Sequence, residues 1–194
     1  MIDDEQLHLL SRVARLAATA AAREGAASTS PPIVVLAADA FRARPTRDST
    51  VPTGFDPLAA ALFESIVEAA YVVANADGVF DSKERRIFEI VIEAASGRAI
   101  RADRVAALVS DLGDQLAEDG AERRIEALSR AVTREEHARE ILRIGALIAT
   151  ISDAASPAER AALAKIAAQC GLPADAVDCA LVEAEKALSA AWGS

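Results

Sequence analysis

Aromatic residues are scarce: five Phe, Tyr71 and Trp192 make up 4% of 194 positions. Nine Gly and seven Pro are also few, and they sit mostly between stretches of apolar periodicity. A sandwich or barrel, built from many β-prone strands and many turns, is disfavoured. The only two cysteines, Cys170 and Cys179, lie nine apart with no Cys-x-x-Cys. They make no disulfide framework, and buried thiols in a reducing compartment are the expectation. Only two histidines occur, His8 and His137, with no His-Glu-x-x-His pair. A Gly-rich phosphate loop, a Ser-His-Asp set and a Cys-His set are likewise not evident, so no enzyme is expected. The longest apolar run, Ile144 to Ile151 broken at Thr150, falls far short of the roughly 20 residues that span a bilayer. The opening Met-Ile-Asp-Asp-Glu is acidic where a secretory leader is basic. These features predict a cytoplasmic protein without direct membrane insertion.

Positive charge is the other shortage. Lys and Arg number 21 against 30 Asp and Glu, a net charge of −9. Residues 1–57 hold six basic and seven acidic groups, so nearly all of the deficit falls in residues 58–194, with 15 basic and 23 acidic groups. Such a surface repels phosphate backbones, which argues against nucleic acid and toward cations or basic protein surfaces as partners.

Alanine is abundant, at 47 residues. It is the best helix former, and its small side chain lets helices approach closely. With 52% apolar content, the composition predicts an all-α, compact bundle with an ample core. Three regions follow. Residues 1–24 carry a helical apolar period at Leu7, Leu10, Val13, Leu16 and Ala17. Residues 25–56 read as a Pro/Ser-rich linker, interrupted by prolines 31, 32, 45 and 52. It bears a short apolar clip at Ile33 to Leu36 that docks on the main domain or on a partner, and residues 1–54 are expected to be dispensable for folding the rest. Residues 57–194 form the helical domain.

Seven helices are predicted there: Pro57 to Ala74, one opened by Asp81-Ser-Lys-Glu84 and running to Ser96-Gly97, Ala102 to Glu118, Ala121 to Val132, Arg134 to Ile151, Pro157 to Cys170 and Ala174 to Ala191. Three starts have the spelling of a capping box: Asp81-x-x-Glu84, Thr133-x-x-Glu136 and Ser156-x-x-Glu159, the last with Pro157 at the first helical position.

A shift of 75 residues superimposes Ile66-Val67 on Ile141-Leu142, Glu84 on Glu159, Phe88 on Leu163 and Val91 on Ile166. The repeated unit is helix, tight turn, capping box, helix, which predicts two similar halves whose first helices lie close together. Glu64 and Glu68 then correspond to Arg139 and Arg143, a pairing that could neutralise both like-charge pairs across the axis.

The first unit's turn invites a cation reading. A twelve-residue calcium loop begun at Val73 puts Asn75 third, Asp77 fifth, Gly78 sixth, Asp81 ninth and Glu84 twelfth. The first position lacks an oxygen, so affinity for Ca²⁺ or another divalent cation would be weak, on the order of 10⁻⁴ M or poorer. The same residues also read as a helix junction, with Gly78 at positive φ, Asp81 as N-cap and Glu84 as its partner. In the second unit Ser152 and Ser156 replace the acids; Glu159 is kept and Asp153 is out of register, a weaker candidate still.

The stretch Tyr71-Val-Val-Ala-Asn-Ala-Asp-Gly-Val-Phe-Asp-Ser-Lys-Glu84, with its echo from Ala149 to Glu159, resembles the tellurite-resistance TerB family. It is also similar to the related N-terminal domain of the DnaJ-like membrane chaperone DjlA. The resemblance runs from about Phe55 to Ala191 and leaves residues 1–54 outside. It implies an all-α fold of two similar halves and acidic residues that bind divalent cations, here Asp77, Asp81, Glu84 and Glu159. It also implies a role in tellurite or other chemical-stress responses within membrane-associated complexes. The alternative expectation is a purely structural adaptor whose cation site has decayed and whose N-terminal segment targets it.

Overall fold

A computed structural model describes residue 12 and residues 31–45, 55–151 and 154–192. Among these it holds eight helices and no strand. They are α1 (Ile33–Arg42), α2 (Pro57–Ala74), α3 (Ser82–Ala95), α4 (Ala102–Asp119), α5 (Ala121–Ala131), α6 (Glu135–Ile151), α7 (Pro157–Gln169) and α8 (Ala176–Trp192). The predicted N-terminal helix lies outside the described residues.

Helix starts follow local chemistry. Pro57 takes the first position of α2, and Asp56 accepts from the backbone N–H of Leu58 at 2.9 Å and of Ala59 at 3.2 Å. Capping boxes form at Asp81/Glu84 and at Ser156/Glu159. The third spelling is not used as a box: α6 begins at Glu135, and Glu136 turns to the Arg134 guanidinium at 3.3 Å.

The 75-residue register appears as structure. α3 opens at Ser82 and α7 at Pro157, each behind a capping box. Both end alike, with the N–H of Arg98 donating to the Glu93 carbonyl and that of Leu172 to the Ala167 carbonyl, each at 2.9 Å. The first helices of the two units, α2 and α6, pack against each other as the centre of the bundle. Every residue from Ser65 to Val73 and from Ile141 to Ile151 is buried, as expected of helices wrapped on all sides. Gly145 sets their spacing: a Cβ there would meet Leu163 Cδ2 at 3.0 Å and Val73 Cγ2 at 3.6 Å, so α2, α6 and α7 close on one another at this point. α2 is long and apolar enough to cross a membrane by length and composition, yet 67% of it is buried within the bundle.

Two expectations are corrected. Residues 33–42, read as part of a linker, are a full helix lying on α2 and α6. Pro32 occupies its N-cap and Pro45 lies beyond its end, so these prolines delimit the helix. Val34, Ala37, Ala38 and Phe41 face inward, and the Phe41 ring lies 5.2 Å from that of Phe63. The packed body therefore begins at α1, and the segment is part of the core. The charge pairing across the axis also does not occur. Glu64 pairs with Arg44 at 2.9 Å and Glu68 with Arg124 at 2.5 Å, while Arg139 pairs with Glu135 at 2.7 Å and Arg143 with Glu140 at 2.6 Å.

Candidate functional site at the junction of two turns

The turn from α2 to α3 is built from its own side chains. Asn75 closes α2 and its amide donates to the Tyr71 carbonyl at 3.2 Å. Asp77 Oδ1 accepts the N–H of Val79 at 2.9 Å, a side-chain turn that leads into Gly78 at φ 82°. That left-handed conformation favours glycine, and it reverses the chain within a few residues. Asp81 Oδ1 accepts from Lys83 N at 2.7 Å and Glu84 N at 2.9 Å, and Glu84 Oε2 accepts from Asp81 N at 2.9 Å. The helix-junction reading thus accounts for one oxygen of each carboxylate. Phe80 turns inward, edge-on to Tyr71 with centroids 5.2 Å apart and to Phe88 at 6.0 Å.

In the second unit Ser156 Oγ accepts from Glu159 N at 3.2 Å and Glu159 Oε2 accepts from Ser156 N at 2.8 Å. Asp153 lies outside the described residues.

The two turns meet. A cavity of about 240 Å³ lies between them, with Asp77, Phe80, Glu84, Ile87 and Phe88 from the first unit and Ile148, Ile151, Ser156 and Glu159 from the second among its lining. Its rim is acidic and its walls are apolar. Among the described residues, its lining contains no Lys, Arg or His. The sequence placed Glu84 and Glu159 at equivalent positions; the fold brings both to one cavity. Hard oxygen donors of this kind suit a divalent cation. Among the described residues, however, no three His, Cys, Asp or Glu side chains gather into a group able to hold a metal ion.

A second polar cluster was not legible in the sequence. Arg143 forks onto Glu140, with Nε to Oε2 at 2.9 Å and Nη2 to Oε1 at 2.6 Å, and both side chains are buried. Glu140 Oε1 also accepts the backbone N–H of Val34 at 3.1 Å. Pro32 gives α1 no side-chain cap, so Glu140 serves one of the helix's free N–H groups from another element. The i,i+3 spacing of Glu140 and Arg143 was the available signal; the Val34 contact had none.

Glu68, Arg124 and Asp119 form a third, half-buried cluster. Burial pushes the Glu68 carboxyl above its ordinary range, against the opposing pull of Arg124. Burial lowers the pKa of half-buried His137, with Glu136 3.9 Å away. Both cysteines are free. Cys170 is half-buried, its thiol pKa raised by burial, but Cys179 is exposed, which corrects the expectation of two buried thiols. The side chain of Trp192 and all of His8 lie outside the described residues.

No protein-family model, curated protein or solved structure matches this chain.

Proposed function

We propose that the chain is a non-enzymatic, cytoplasmic interaction module of the TerB-like, tellurite-resistance kind, and that it meets a protein partner at the junction of its two turns. The partner would belong to a membrane-associated chemical-stress assembly. One observation carries this reading: equivalent turns of two repeated units converge on a single cavity with apolar walls and an acidic rim. A cavity of about 240 Å³ is smaller than the roughly 300–1,000 Å³ of small-molecule sites, which favours insertion of a partner's side chain over binding of a metabolite. Surplus acidity over residues 58–194 favours basic protein surfaces and disfavours nucleic acid. A photo-crosslinking residue placed at Val79, exposed beside the cavity, should capture the partner in the native cell; one at exposed Val182 on α8 should not.

A weakly held divalent cation at Asn75, Asp77, Asp81 and Glu84 is the second reading, one that requires these side chains to draw together around the ion. It is favoured by the oxygen that each of the three carboxylates keeps after serving the backbone. Water would have to complete the shell.

A further inference from the structure

We propose that the cavity between the two turns receives an arginine side chain presented by the partner; this rests on the reading of the chain as an interaction module. The argument begins with the two glutamates. Each is fixed by its capping box: Glu84 Oε2 accepts from Asp81 N at 2.9 Å, and Glu159 Oε2 accepts from Ser156 N at 2.8 Å. The other oxygen of each remains for a ligand. Two carboxylates held in place by the backbone lose little freedom on binding, the condition that favours affinity.

The kind of cation follows from shape. Among the described residues, no three acidic groups gather so that they could share one metal ion. A guanidinium is broad and planar and carries five N–H donors in a fixed fork, so it can bond to more than one carboxylate at once. The apolar wall supplied by Phe80, Ile148 and Ile151 suits the aliphatic stem of the same side chain. Arginine is preferred over lysine because its head is more weakly hydrated and packs on aromatic surface, which Phe80 offers here. Room for about one side chain matches the way arginine anchors act in protein interfaces. Among the described residues the lining holds no basic side chain, so the incoming charge meets complementary charge there.

The probe is n-butylguanidinium, a stem and head without a peptide, with neutral n-butylurea as its uncharged counterpart. Each is titrated into the full chain and followed by amide chemical shifts. Butylguanidinium should shift amides in residues 74–88 and 154–159 with a Kd of roughly 1–10 mM, the affinity available to so small a molecule. Butylurea should not. Glu84→Gln with Glu159→Gln should weaken the response at least about tenfold while keeping the fold, because Gln also serves the third position of a capping box. Nuclear Overhauser contacts from the butyl chain to Phe80 and Ile151 test the location without any variant. Silence toward butylguanidinium, equal response to butylurea, indifference to the double substitution, or contacts only elsewhere would overturn the proposal. Capture of a partner from Val79 with a silent probe would reject the arginine and leave the interaction module standing. A responsive probe without capture would do the reverse.

Discussion

Glu140 Oε1 lies 3.1 Å from the backbone nitrogen of Val34, joining the first turn of α1 to the middle of α6 across 106 residues. The carboxylate is held by the fork of Arg143, and it presents negative charge to the positive end of the α1 dipole. One buried side chain thus neutralises a guanidinium and seats a helix.

Glu140→Ala should therefore be severe. It removes the carboxylate facing a buried guanidinium and the acceptor for Val34 in a single step. The expected loss is about 3–5 kcal/mol, the range for breaking one side of a buried ion pair. Glu140→Gln keeps an acceptor and should cost less. Urea unfolding of the three proteins checks the order.

α1 should prove part of the folding unit. Phe41→Ala opens a cavity beside Phe63 and should cost about 3 kcal/mol. Deleting residues 1–45 strips Val34, Ala37, Ala38 and Phe41 from α2 and α6, and it should abolish or greatly broaden the cooperative melt. A sharp transition at the full-length midpoint would restore the linker reading.

Local signals made most of this fold readable. Pro57, Asp81, Ser156 and Pro157 mark helix starts in the sequence, and each helix predicted after residue 57 is present within about two residues. α1 was missed because its prolines were weighed as breakers. Its inward residues Val34, Ala37, Ala38 and Phe41 nevertheless have the i, i+3, i+4, i+7 spacing of a helix face. The turn residues were readable for the same local reason. Their meeting around one cavity depended on the packing of α2 against α6. The partners of Glu64 and Glu68 were not readable at all: Arg44 and Arg124 come from outside the repeated units, where the 75-residue register says nothing.

Stability should carry a signature of Glu68. Its carboxyl is raised by burial in the folded chain, with Arg124 lowering it and Glu64 and Asp119 raising it further. The folded state therefore holds this proton to higher pH than the unfolded state. The contribution is fully present below the unfolded value and is lost as pH rises through the folded one. Glu68→Gln removes this dependence. Its thermal midpoint, measured relative to the parent from pH 4 to pH 7, should move in the favourable direction as pH rises. A constant difference would contradict the assignment.

Calcium titrated calorimetrically into chelator-stripped protein tests the cation. Asp77→Asn still offers an oxygen to the Val79 N–H, so the calcium-free melt should stay within a few degrees. Any heat seen with the parent should vanish in the variant. No heat up to about 10 mM, tenfold beyond the weak end of calcium modules, would leave the turn as a helix junction only.

The central claim is that the partner is bound where the two turns meet. Its most direct measurement is the yield of cross-linked partner from position 79, compared between the parent and the Glu84→Gln, Glu159→Gln double variant, with position 182 as reference. The account predicts strong capture from 79 in the parent, at least a tenfold loss in the double variant at an unchanged melt, and background from 182. Equal capture from both positions, or capture from 79 that ignores both glutamates, would contradict it.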